Sequence, residues 1–197
     1  DEIMITDNRI YKNGQIESSI IDEKDLSNLN KKYTPKLLKI LGKIAQNKLK
    51  YFDYADFGLN IGGKSYFHHI HEDDYRKLLS VVVYVHPKEN IGTYLYSNRK
   101  GDNKKNIKWE TNKALIFSRS EGETWHNYHS DGLHKRLTII YNLHFKDDKR
   151  IYRAKILRAE GKYFSHYLFK EIYLFPLRIL IKIFDFFKIK NFIKKVF

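Results

Sequence analysis

A mainly β domain, a sandwich or barrel of short strands with one amphipathic helix before it and a helical tail after it, is the fold class predicted by this 197-residue sequence. Three observations predict it. Short apolar runs separated by turn-rich stretches dominate 57–143, a single long helical period precedes them, and the composition changes after residue 148. A chain of this length, 42% apolar and 15% aromatic, can bury a substantial core.

Residues 1–33 read as short strands and turns, with Asn13-Gly14 a tight turn after Tyr11. Thr34 followed by Pro35 reads as an N-cap and a first-turn proline. Leu37, Leu38, Leu41, Ile44, Ala45 and Leu49 then recur at helical spacing, which predicts a helix over 35–50. Apolar runs at 81–85, 92–96, 114–117 and 137–143 read as strands, with turns around Gly62-Gly63, 87–90, 98–106 and Asp131-Gly132. The expected division is a domain over 1–148, with its core at 57–145, and a tail over 149–197.

The charge is unevenly spread. The chain carries 37 Lys+Arg against 23 Asp+Glu, net +14, and 13 of the basic residues but only 3 of the acidic ones lie in 149–197. The tail is therefore net +10, rich in Phe, Ile and Leu, and predicted to be helical with breaks at Gly161 and Pro176. Its lysines and arginines recur too often for a bilayer span. A basic amphipathic helix over 163–197 suits either the surface of an anionic membrane or packing against the domain or a second subunit. No nucleic-acid module is present, so nucleic acid is the less favoured partner. There is no cysteine, which excludes disulfides, thiolate metal sites and a cysteine nucleophile. Any metal must be held by His and carboxylate.

The strand region contains nearly all the histidines: His68, His69, His71, His86, His126, His129, His134 and His144. His71-Glu72-Asp73 puts an imidazole and a carboxylate two residues apart, on one side of an extended strand. Trp125-His126 follows the 114–117 run, and Arg136-Leu137-Thr138 opens the last apolar strand. Composition alone supplies a His followed ten residues later by Arg-x-Ser/Thr roughly 0.03 times, so the ordered set carries information. Two neutral imidazoles and a carboxylate on one face of a metal leave the opposite positions open, as in non-haem Fe(II) oxygenases. A 2-oxoglutarate cosubstrate could fill two of those positions. Its far carboxylate then calls for a buried arginine fork with a hydroxyl beside it.

His71-x-Asp73, His126 and Arg136-x-Thr138, spread over about 60–143, resemble the motif set of the Fe(II)/2-oxoglutarate-dependent dioxygenases in their prolyl-hydroxylase-like branch. The resemblance implies a double-stranded β-helix (jelly roll) core with the predicted helix packed on it. It implies His71, Asp73 and His126 as Fe(II) ligands, with Asp74 and His69 as the neighbouring alternatives. It implies that Arg136 binds the distal carboxylate of 2-oxoglutarate, with Tyr84 and Thr138 as helpers, and that O2 is the oxidant. Retention of the ligand carboxylate favours hydroxylation over halogenation.

The expected activity is hydroxylation of a C–H bond in a sugar, glycan or lipid-linked substrate. A prolyl-type protein hydroxylase and a non-catalytic cupin-like binding module are the alternatives. The basic stretch 98–108 reads as a solvated hairpin, or as a lid for an anionic substrate. His68, His69, His129 and His134 are expected at the surface or in support of a ligand, Trp125 in packing beside His126, and Tyr128 near the substrate mouth. The expected location is cytoplasmic, peripheral on the inner membrane face.

Overall fold

A computed structural model describes residues 4–6, 9–12, 15–146, 151, 153–158 and 160–162. The chain divides into two compact units, Asp1–Tyr152 and Arg153–Phe197. The expected Asn13-Gly14 turn and the tail beyond residue 162 lie outside the described residues. In the second unit Arg153–Leu157 is a short π-helical segment, after which Gly161 takes a left-handed φ of 72°.

Among its described residues the first unit is mainly β, with two antiparallel sheets and one long helix. The larger sheet has seven strands: β1 (Met4–Thr6), β2 (Arg9–Lys12), β3 (Gln15–Ser19), β4 (Tyr54–Gly62), β6 (Lys77–His86), β9 (Ala114–Phe117) and β11 (Arg136–His144). They are arranged β3-β2-β1-β4-β11-β6-β9. The smaller sheet, β5-β10-β7-β8, is built from β5 (Phe67–His71), β7 (Thr93–Tyr96), β8 (Lys105–Ile107) and β10 (Trp125–His129). The four apolar runs of the sequence fall in β6, β7, β9 and β11, the second of them beginning one residue before β7.

Strand β11 organises the large sheet. It pairs along its whole length with β4, from Arg136 opposite Gly62 to His144 opposite Tyr54, and on its other edge with β6. Its alternation sets two faces: Thr138, Ile140 and Asn142 line a cavity, while the Tyr141 hydroxyl meets the helix. Leu78, Leu79, Tyr84 and Leu143 are completely buried. Each buried leucine contributes about 2 kcal/mol of apolar transfer free energy. Gly92 precedes β7 where a Cβ would fall 1.7 Å from the Ile107 carbonyl oxygen, so any side chain there would push β7 and β8 apart.

The helix begins earlier than its sequence period suggests. Helix α1 spans Glu23–Ile44, and a 3-10 turn follows over Gln46–Tyr51. Asp22 is the cap, its Oδ1 accepting the Asp25 N–H at 2.7 Å. The Thr34 hydroxyl does not cap; it lies 2.9 Å from the Tyr141 hydroxyl, which also donates to Asn30 Oδ1 at 2.7 Å. Tertiary bonding to Tyr141 thus carries the helix through Pro35, which sits on its exposed side. Leu37 and Leu41 are its buried anchors.

Candidate metal centre

His71 ends β5, and β10 runs beside it with His126 directly opposite. The two rings lie 4.4 Å apart between centroids. His71 Nδ1 is 2.8 Å from the His69 carbonyl oxygen, and His126 Nδ1 is 2.9 Å from that of Thr124. A carbonyl oxygen only accepts, so in each ring Nδ1 carries the proton and Nε2 keeps its lone pair. The backbone thereby selects the tautomer that suits a metal ligand.

Asp73 lies beyond the end of β5, so strand alternation does not place it. Its carboxylate is held instead by Lys77 Nζ, donating to Oδ1 at 2.9 Å, and by the Ser80 hydroxyl, donating to Oδ2 at 2.5 Å. Arg119 Nε donates to its carbonyl oxygen at 2.9 Å. His71, Asp73 and His126 bring one candidate ligand atom each to within 4.8 Å of one another. Burial by itself would raise the Asp73 carboxyl, but the Lys77 ammonium and the Ser80 hydroxyl outweigh it and hold the group below its ordinary value. Burial, reinforced by the His126 ring, pushes His71 down to about 4. Near neutral pH the set is one carboxylate and a neutral imidazole at His71, the protonation states that metal binding requires.

The neighbouring alternatives point elsewhere. Asp74 is exposed and accepts from Arg76 through its backbone N–H at 2.8 Å, Nε at 3.0 Å and Nη2 at 3.3 Å. The exposed His69 ring packs edge-on against Phe67, and its contribution to the site is its carbonyl oxygen. His68 lines the cavity, its ring 3.8 Å from that of His71.

The cavity has a volume of about 300 Å³ and is walled by both sheets. Arg136 lines it too, only 7% exposed. Among the described residues no carboxylate pairs with Arg136, and its Nε is buried without a hydrogen-bond partner. Its guanidinium carbon lies 3.6 Å from the Tyr128 ring centroid, 5.0 Å from that of Trp109 and 5.4 Å from that of Tyr84. Burial pulls the guanidinium below its ordinary value, opposed by Tyr128 and Tyr84. A buried cation caged by aromatic rings lacks the counter-ion that normally offsets its desolvation, and a carboxylate ligand would supply it.

Thr138 also lines the cavity, two residues along β11 from Arg136. Tyr84 pairs with Thr138 across β6 and β11; it is fully buried and stacked on Trp109, its ring centroid 5.4 Å from the Arg136 guanidinium carbon, and its hydroxyl donates to Thr93 Oγ1 at 2.8 Å. Thr93 is the group that reaches the cavity from that direction. Tyr128 and Tyr66 stack on each other and line the cavity. None of residues 98–108 lines it; that stretch is a hairpin folded on Asn98 and Asp102, with Lys104 Nζ 3.8 Å from the Tyr94 ring centroid.

Sequence reading missed Lys77, Ser80, Arg119 and Tyr66. Lys77 and Ser80 stand four and seven residues after Asp73 at the start of the next strand, but only the turn between the two strands brings them back to its carboxylate, and Arg119 lies 46 residues on, in the loop before β10.

No family profile matches the chain, and no curated protein matches it. Among solved structures it is similar to a Pseudomonas putida prolyl-4-hydroxylase, with 14% identity, 70% of each chain covered and a TM-score of 0.46. A 2OG-Fe(II) oxygenase family oxidoreductase from Burkholderia pseudomallei is similar at 13% identity, covering 72% of this chain and 63% of that one, TM-score 0.46. The viral collagen prolyl hydroxylase of Paramecium bursaria Chlorella virus-1 is similar at 16% identity, over 60% of this chain and 70% of that one, TM-score 0.39.

Proposed function

We propose that this protein is an Fe(II)- and 2-oxoglutarate-dependent oxygenase on a jelly-roll core, hydroxylating a C–H bond of a sugar, glycan or lipid-linked substrate. One observation carries the reading: a two-histidine, one-carboxylate cluster and a buried arginine that no carboxylate pairs among the described residues open onto the same cavity.

His71, Asp73 and His126 would hold the metal, and Arg136 the distal carboxylate of 2-oxoglutarate, with Thr138 beside it. The chemistry supplied when metal and cosubstrate are bound is transfer of one oxygen atom of O2 into a C–H bond, balanced by conversion of 2-oxoglutarate to succinate and carbon dioxide. The chain's own residues prepare that chemistry. The carbonyls of His69 and Thr124 orient the two imidazoles, and Lys77 and Ser80 keep Asp73 ionised. Tyr128, Trp109 and Tyr84 exclude water from the Arg136 guanidinium, which strengthens its attraction for an anion. Asn60, Asn142 and Tyr66 give the cavity polar walls suited to a hydroxylated substrate.

A role for 163–197 at a membrane surface belongs to the proposal on sequence grounds. Among the described residues no helix is long and apolar enough to cross a membrane. The test is purified protein with Fe(II), 2-oxoglutarate and O2, assayed for succinate. Succinate release that depends on His71, Asp73 and Arg136 supports the reading; anaerobic binding of Fe(II) without succinate under any substrate set would instead favour a cupin-like binding module.

A further inference from the structure

Helix α1 presents a surface that the metal site does not use. Residues 26–52 contain seven lysines and no Asp or Glu, so this stretch is net +7 while the rest of 1–148 is net −3. The helix sorts four of these lysines. Lys32, Lys36, Lys39 and Lys43 follow the pattern i, i+4, i+7, i+11, which at 3.6 residues per turn confines them to an arc of about 60°. Leu37 and Leu41, the buried residues of the helix, project from other sides, and all four lysines are exposed. Among the described residues no carboxylate pairs with any of the four. Lys32 and Lys36 instead bracket the Tyr33 ring, 5.3 and 5.5 Å from its centroid.

Like charges one turn apart disfavour a helix, so apart from Lys43, which stands in the last turn, the stripe does not serve helix stability. Exposed apolar side chains border it: Tyr33 is 37% exposed and Ile44 52%, with Leu49 of the following turn at 39%. Lysines flanked by an aromatic and aliphatic side chains match an anionic lipid surface, where the charges meet headgroups and the apolar groups enter the interface. Nucleic acid would satisfy the lysines and leave Ile44 and Leu49 without a partner, because its surface is mostly charged and polar.

We propose that α1 is a docking surface for an anionic lipid membrane, through Lys32, Lys36, Lys39 and Lys43 with Tyr33 and Ile44 at their margin. The inference is independent of the oxygenase reading. Helix α1 bonds to Tyr141 on the outer face of the large sheet, whereas Ile140 and Asn142 face the cavity, so the stripe can be altered without touching the metal site.

The test uses the full chain in sedimentation with phosphatidylglycerol/phosphatidylcholine vesicles, with phosphatidylcholine vesicles, and in anisotropy with single- and double-stranded DNA. Three variants are compared with the wild type: K32Q/K36Q/K39Q/K43Q, I44S, and K188Q/K190Q/K194Q/K195Q as a matched charge change in the tail. Equal melting temperatures establish that the surface variants are folded, and K36Q/K39Q replaces the fourfold variant if it is not. The expected result is preference for the anionic vesicles, a loss of about tenfold or more in the fourfold stripe variant at 0.1 M salt, and a smaller loss in I44S. No preference for anionic vesicles, undiminished binding by the stripe variant, loss confined to the tail variant, or tighter binding to DNA than to vesicles would each overturn the proposal.

Discussion

The Arg119 guanidinium donates through Nε to the backbone carbonyl of Asp73 at 2.9 Å, and its Nη2 lies 3.8 Å from Glu72 Oε2. Arg119 is 6% exposed, and its own carbonyl accepts from the buried Lys48 ammonium. Glu72 Oε1 in turn accepts the Gly122 N–H at 2.7 Å. The loop that feeds β10, and with it His126, is therefore tied to the segment that carries Asp73.

Replacing Arg119 with Met should loosen both ligand-bearing segments at once. We expect metal affinity to fall by about 10–100-fold, as for other residues that orient ligands, and stability to fall by about 3 kcal/mol because Glu72 is left without its cation. Arg119→Lys should recover part of the stability and little of the affinity, since a lysine cannot span two acceptors as the guanidinium fork does. Isothermal titration with Fe(II) under anaerobic conditions, beside urea denaturation of the metal-free protein, measures the two separately.

Asp73 and Asp74 are adjacent in sequence and opposite in surroundings. Asp73→Ala should abolish metal binding, as read by bound iron in mass spectrometry of the intact protein. Asp74→Ala should retain the metal and cost no more than about 1 kcal/mol, because its partner Arg76 forms an exposed pair. The reverse result would move the ligand to Asp74.

Arg136 separates stability from binding. Among the described residues its buried charge has no counter-ion, so in the metal-free protein Arg136→Met should leave the melting temperature unchanged or raise it. The same substitution should weaken 2-oxoglutarate binding by about 100-fold or more, the scale of losing a charge-assisted, bidentate contact. Fe(II) affinity without the cosubstrate should be preserved. A variant that melts lower and binds 2-oxoglutarate normally would remove Arg136 from the site.

The metal-free protein should weaken in mild acid. His71 titrates at about 4 when folded and at its ordinary 6.5 when unfolded. Between those values the unfolded chain holds a proton that the folded one rejects, so stability is complete above pH 6.5 and falls as pH drops towards 4. Asp73, held below its ordinary 3.8, contributes a separate loss only at lower pH. Thermal melts across pH 4–7.5 should show the first decline, and His71→Gln should flatten it.

The cluster was legible because its residue types and their order are local facts. His71-x-Asp73, His126 and Arg136-x-Thr138 stand out from composition, and the apolar runs mark β6, β7, β9 and β11. The helix start was not legible, because Thr34-Pro35 carries a stronger local start signal than Asp22. What overrides it is the Tyr141 hydroxyl, more than a hundred residues away, occupying Thr34 and Asn30. Strand β4 and the histidine-rich β5 and β10 also lack apolar runs, since each borders the cavity and trades hydrophobic residues for polar ones.

By itself the sequence pointed to the residue types of the candidate metal cluster, to Arg136 and to the mainly β class, all of which depend on side-chain chemistry and on a period of two. Only the tertiary structure decided which of two adjacent aspartates faces His71 and His126, because β5 ends before them and alternation no longer applies. There the choice is made by Lys77 and Ser80 of the strand that follows and by Arg119 from a loop 46 residues on, while Arg76 draws Asp74 outward. It likewise brought the Tyr84 ring beside Arg136, stacked on Trp109 and bonded through its hydroxyl to Thr93, a residue of the cavity lining.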